Sequence, residues 1–125
     1  MNREKLEKYI EDTYSINAEH VFEKNPSTCV FRHGNNRKWF AIIMDIKKRL
    51  LGMDSDDTVT IINLKCDFIL INSLLTERGF YPAYHMNKTH WITVLLDGTV
   101  EDQRIKDLID ISFDLTYLKK HQKRR

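Results

Sequence analysis

His85, Asn87, Lys88, His90 and Trp91 crowd into one short stretch, directly before the apolar run 92–96. An imidazole titrating near neutrality can serve as a general base, and a histidine pair can begin a metal site. The spacing argues against both. His85 and His90 have neither carboxylate nor cysteine between them, and their separation does not set two ligands on one helical face as an HExxH pattern would. No serine, cysteine or carboxylate stands in sequence to complete a catalytic set, and no Gly-rich phosphate loop occurs. The expectation is therefore no metal, no cofactor and no enzymatic activity. Two readings of the stretch stay open. One is a ligand or anion site built from His85, Asn87, Lys88, His90 and Trp91. The other is structural, with Trp91 anchoring the core, Asn87 bonding the turn backbone and His85 bonding a neighbouring strand.

A second constellation is basic. Arg32, His33, Arg37 and Lys38 surround Gly34-Asn35-Asn36, and Lys47, Lys48 and Arg49 follow one strand length later. Cations so placed can neutralise phosphates, and Asn35 and Asn36 could donate to phosphate or base edges. The plainer reading is that turns are solvated and solvated turns are charged. Asp54, Asp56 and Asp57 share the second loop and dilute its positive charge. The end of the chain, 119–125, is a basic tail that would add phosphate affinity or simply complement a helix C-terminus.

Bulk composition narrows the field. The chain has 125 residues, 42% apolar and 30% charged, which suits one globular domain with a real core. Net charge is only +2, so whole-molecule basicity does not argue for nucleic acid, although the two basic blocks are separated by acidic ones. No apolar run approaches the roughly 18 residues that suggest a membrane span. Residues 1–5 lead into a charged amphipathic segment rather than a secretory leader. Cys29 and Cys66 show no CxxC pattern and read as reduced, buried thiols. A cytoplasmic monomer without a membrane role is expected. Glu4, Glu7, Glu11 and Asp12 are interleaved with Arg3, Lys5 and Lys8, which suits a solvated helix face better than a metal-binding one.

The positioning elements follow from periodicity. Leu6, Tyr9, Ile10 and Tyr14 give a helix over 2–14. Strands are expected over 28–33, 37–45 and 58–65, joined by the turn 34–36 and a longer loop 46–57, which makes an antiparallel meander. Trp39, Phe40, Ile42 and Ile43 point both ways, so the second strand should be covered on both faces. Asp67 is placed to cap a helix over 68–78 that Gly79 ends. Residues 80–83 are extended and 91–96 form a strand. Thr99 caps the last helix, whose stripe runs through Ile105, Leu108, Ile109, Ser112, Phe113 and on to Leu118, with Lys119, Lys120 and His121 closing it.

With these residues in view, the chain resembles the YjbR/MmcQ family of small bacterial proteins. The resemblance rests on His85-Met86-Asn87-Lys88-Thr89-His90-Trp91, on Thr93-Val94-Leu95-Leu96-Asp97-Gly98-Thr99-Val100 and on Leu108-Ile109-Asp110-Ile111-Ser112-Phe113-Asp114-Leu115. Ile62-Asn63-Leu64-Lys65-Cys66-Asp67 is a weaker echo. Phe68 stands where the family pattern commonly has proline, which leaves the Asp67 cap intact. The resemblance implies a single α+β domain over 1–118. An antiparallel sheet would be packed by N-terminal, middle and C-terminal helices, in the CyaY-like layout of frataxin relatives. Family members are described as DNA-binding, with two β-hairpins acting as a double wing. On this chain the wings would contact phosphates through Arg32, Arg37, Lys38, Lys47, Lys48 and Arg49, with Lys88 as a further contact.

Overall fold

Asn2 opens helix α1 (Arg3–Tyr14) by accepting a hydrogen bond from the Lys5 amide at 2.8 Å. This satisfies one of the amides that a helix start leaves unpaired. The helix buries Leu6 and Ile10 and stops at Ser15, which adopts a left-handed conformation. The structure is a computed structural model and describes residues 1–117. The expected basic tail 119–125, Leu118, and the closing of the last helix by Lys119, Lys120 and His121 lie outside the described residues.

The strands β1 (Cys29–Arg32), β2 (Trp39–Lys47) and β3 (Thr58–Lys65) form the expected meander. After helix α2 (Phe68–Leu74) come β4 (Phe80–Pro82) and β5 (Trp91–Leu95). The antiparallel sheet runs β1-β2-β3-β5-β4, so β3 is its middle strand and β2 lies beside it. Helix α3 (Asp102–Thr116) ends the described chain.

One face of the sheet carries all three helices. Ile43, Ile62, Leu64, Ile92 and Val94 pack there against Leu6 and Ile10 of α1, Ile71 and Leu74 of α2, and Ile105, Leu108 and Ile109 of α3. Each such side chain contributes roughly 1.5–3 kcal/mol when fully buried. The other face holds Val30, Ile42, Ala83 and Trp91, and a second patch of Ile46, Val59, Ile61 and Leu95. Both faces of β2 are thus covered, as its unbroken apolar run implies.

A bulge in β2 decides which residues face where. Phe31 pairs with Ala41 but Arg32 pairs with Trp39, which leaves Phe40 without a partner. The extra residue puts Phe40 with Ala41 among the helix-side core and turns Trp39 to the opposite face. Ser112 of α3 secures the bulge. Its hydroxyl donates to the Phe40 carbonyl at 2.6 Å and accepts from the Lys65 amide at 2.9 Å.

The second strand runs Trp39–Lys47 rather than 37–45, and two helix boundaries also differ from the sequence reading. Asp67 does cap α2, accepting from the Leu70 amide at 2.8 Å, but the helix ends at Leu74 rather than 78. The Thr76 and Glu77 amides bond three residues back, and the Thr76 hydroxyl takes the Ser73 carbonyl, so the last turn tightens instead of continuing. Thr99 does not cap α3. Its amide is held by the Asp97 carboxylate at 3.0 Å in the preceding turn, and the helix starts beyond Glu101 without a side-chain cap. The N-terminal ammonium of Met1 sits 3.0 Å from Asp102 in its first turn.

Candidate nucleic-acid interface

The segment 84–91 is fastened to the helix-free side of the sheet by a buried polar pair. Asn63 on β3 and Thr93 on β5 face each other in register, and both are fully buried. Asn63 Nδ2 donates to the Tyr84 carbonyl at 3.0 Å, and the Tyr84 amide donates to Thr93 Oγ1 at 2.9 Å. The Thr93 hydroxyl in turn donates to Asn63 Oδ1. Buried polar groups are costly unless bonded, and here two bonds hold the Tyr84 backbone while the third joins the pair.

Beyond that clamp the motif organises itself. Asn87 Oδ1 accepts from the Thr89 amide and hydroxyl at 2.9 and 2.7 Å. The Asn87 carbonyl receives the His90 and Trp91 amides, and Lys88 Nζ donates to the Ala83 carbonyl at 2.9 Å. The His90 carbonyl accepts from the Cys66 amide at 2.9 Å and ties the turn to the end of β3. Trp91 is 9% exposed and packs on Val30, Ile42 and Ala83. Asn87 and Trp91 therefore take the structural parts expected of them. His85 does not bond a strand: its ring stacks on Tyr84, centroids 3.9 Å apart, with its backbone in the left-handed region at φ 59°. His85 and His90 both face solvent.

A groove of about 360 Å³ opens beside this segment, along the second face of β2. Trp39, Ile42 and Met44 line it along the strand, Tyr84, His85 and Met86 form one wall, and Phe22 closes the other, edge-on to Trp39 at 5.9 Å. Tyr84 and His85 are thus wall residues held from behind by Asn63 and Thr93. Asp45 also borders the groove, but its carboxylate is 3.1 Å from Arg3 and accepts from Thr60 at 2.6 Å. Sequence reasoning passed over Phe22, Trp39, Met44 and Tyr84. The available signal was Trp39 itself, a large aromatic directly after two cations, hidden by the phase change at the bulge.

The basic residues divide by their partners. Arg32 lies 3.1 Å from Glu19, and Arg49 lies 2.7 Å from Asp56 and 3.9 Å from Asp54. Arg37, Lys38 and Lys47 are exposed, and Lys48 is half-buried. The two basic turns stand at opposite ends of β2. At about 3.3 Å per residue, Trp39 and Lys47 are separated by roughly 26 Å.

The first turn is not a free wing along its whole length. His33 is buried, and its Nε2 lies 2.8 Å from Thr116 Oγ1 on α3, whose own hydroxyl proton goes to the Ser112 carbonyl. Nε2 therefore donates. Asn36 Nδ2 donates to the Thr116 carbonyl at 2.8 Å, and Asn36 Oδ1 accepts from the Lys38 amide at 2.9 Å. The turn is thereby riveted to the end of α3, with Gly34, Asn35, Arg37 and Lys38 left outward.

Burial pushes the thiol of Cys29 up to about 11 and that of Cys66 up to about 12, which leaves neither as a ready nucleophile. Among the described residues no three His, Cys, Asp or Glu side chains gather as a metal site. No described helix is long and apolar enough to cross a membrane.

The model of the YjbR family matches residues 14–115. The chain is 34% identical over 116 residues to the uncharacterised protein YyaQ of Bacillus subtilis (strain 168), which covers 93% of this chain and 98% of that one. A crystal structure of a Pseudomonas syringae protein superposes with a TM-score of 0.92 at 45% identity, covering 94% of this chain and all of the other. A Deinococcus radiodurans protein shares the fold at a TM-score of 0.64 and 24% identity, over 92% and 86% of the two chains.

Proposed function

The chain belongs to the YjbR family, and we propose that it is a non-catalytic DNA-binding protein that holds the phosphate backbone through the two basic turns of β2. The observation that carries this reading is the placement of exposed cations at both ends of one rigid strand. Arg37 and Lys38 stand at one end, and Lys47 with the half-buried Lys48 at the other. The strand accounts for about 26 Å, and the turns extend the reach to roughly 30 Å. One turn of B-DNA advances roughly 34–36 Å. Two contacts so spaced fit phosphates about one helical turn apart on the same side of a duplex.

Arg32 and Arg49 enter this reading as weaker contributors, because each would exchange a carboxylate for a phosphate. Lys88 is likewise engaged, at the Ala83 carbonyl. Four free contacts correspond to a log–log salt slope of roughly −3.6, against roughly −5 for the six hairpin cations, at about −0.9 per phosphate neutralised. The test is an anisotropy titration with a labelled duplex across a series of salt concentrations. Binding at low salt that weakens with a slope between about −3 and −5 supports the reading. Absence of binding at low salt, to this duplex and to a single strand of the same sequence alike, overturns it.

A further inference from the structure

The groove on β2 lies between the two basic turns, and from that juxtaposition we infer that it receives unpaired nucleobases, making single-stranded DNA the preferred ligand. The inference rests on the phosphate-binding reading above and names its substrate class.

Three features point to flat heteroaromatic rings. First, the groove is lined by aromatic and thioether groups. Trp39 and Met44 lie along the strand, and Tyr84, His85 and Met86 face them across about 360 Å³. Stacking on aromatic side chains is how proteins hold bases without reading their sequence. Second, Arg37 and Lys38 stand in the turn directly before Trp39 at one end of the groove, and at the other end Lys48 opens the turn that follows Ile46 and Lys47, Lys47 itself pointing to the opposite face of the strand. A strand lying along β2 would set phosphates on cations at each end and bases on the apolar stretch between them. The run from Trp39 to Ile46 is roughly 23 Å, enough for several nucleotides. A duplex presents its bases edge-on, paired and stacked, and cannot offer a face to Trp39.

Third, the wall is preorganised. His85 keeps a left-handed backbone, at φ 59°, a conformation that non-glycine residues adopt only where their surroundings hold them in it. The buried pair Asn63 and Thr93 holds the adjoining Tyr84 backbone at both its amide and its carbonyl. The two rings are thus presented as a stacked unit, 13° from parallel. The one carboxylate at the groove, Asp45, is already matched by Arg3.

The experiment uses three labelled oligonucleotides of equal length at one low salt concentration. They are a mixed-sequence single strand, the same sequence as a duplex, and a single strand with abasic sites along its middle. The single strand should bind at least five-fold more tightly than the duplex, and the abasic strand at least five-fold more weakly than the intact one. Trp39→Ala and Tyr84→Ala should each cost the single strand five-fold or more and leave the duplex within two-fold. Trp39→Phe, which preserves apolar bulk, guards against a folding defect. With only two tryptophans in the chain, quenching of emission by the intact single strand should largely vanish in Trp39→Phe. Equal binding of intact and abasic strands, or a duplex bound as tightly as the single strand, overturns the groove inference while leaving the phosphate reading standing. Binding of none of the three overturns both.

Discussion

Asn63 and Thr93, opposite one another on β3 and β5 and wholly buried, together bond both backbone polar groups of Tyr84. The sheet thus carries a polar rivet in an otherwise apolar middle, and the rivet positions the segment 84–91. Thr93→Val keeps the shape and removes the hydroxyl. It strands the Tyr84 amide and one Asn63 oxygen, which costs about 1–3 kcal/mol. Urea unfolding should show that loss. The Thr93→Ser variant, which restores the hydroxyl, should recover most of it. Hydrogen exchange at 84–91 should accelerate more in Thr93→Val than exchange at the helices.

What could be read from the chain, and what could not, follows the range of the interactions. The strand 58–65 and the Asp67 cap were legible because alternation and capping are local. So was the role of Asn87, since its bonds close within three residues. The groove was not legible. It depends on a bulge that re-phases Trp39, and on Phe22, which comes from an irregular loop and meets Trp39 only in three dimensions. The neutralising partners of the basic residues were equally hidden. Glu19 reaches Arg32 because a single backbone bridge joins Glu19 to Val30, and no periodicity announces such a bridge.

His33 sets a pH dependence of folding. Burial, with Lys38 adding to it, lowers its pKa from the usual 6.5. The unfolded chain therefore binds this proton more readily than the folded one. The stability it contributes is complete above about pH 6.5 and is lost as the pH falls below that value. The urea midpoint should fall between pH 7.5 and 5.5. His33→Gln, which cannot titrate, should be less stable at pH 7.5 but should flatten that dependence. A wild-type midpoint unchanged over this range would contradict the assignment.

The two thiols should be slow towards disulfide reagents while the protein is folded. With Cys29 raised to about 11 and Cys66 to about 12 from 9.0, the thiolate populations at pH 8 are about a hundred-fold and a thousand-fold below those of free cysteine. Coloured-thiol release should be slow in native buffer and prompt in strong guanidinium, with both residues reacting. Fast native labelling of either thiol would mean that the segment around it opens readily.

Arg32 and Arg37 offer the sharpest contrast among the basic residues, because they flank the same turn and differ in partner. Arg32 sits beside Glu19 at 3.1 Å, whereas Arg37 is exposed and held outward in the left-handed region at φ 64°. Arg32→Ala releases Glu19 into the same neighbourhood, so it should lower DNA affinity by a little repulsion while changing the salt slope by well under one unit. Arg37→Ala with Lys38→Ala removes two free cations and should bring the slope from roughly −3.6 to about −2. Neither change touches the core, so thermal midpoints should move by little. The slopes come from the same anisotropy titrations. If the Arg32 variant shifts the slope as much as the Arg37/Lys38 double variant does, the ion pair with Glu19 opens on binding and Arg32 joins the contact set. If neither shifts it, the first basic turn is not where DNA is held.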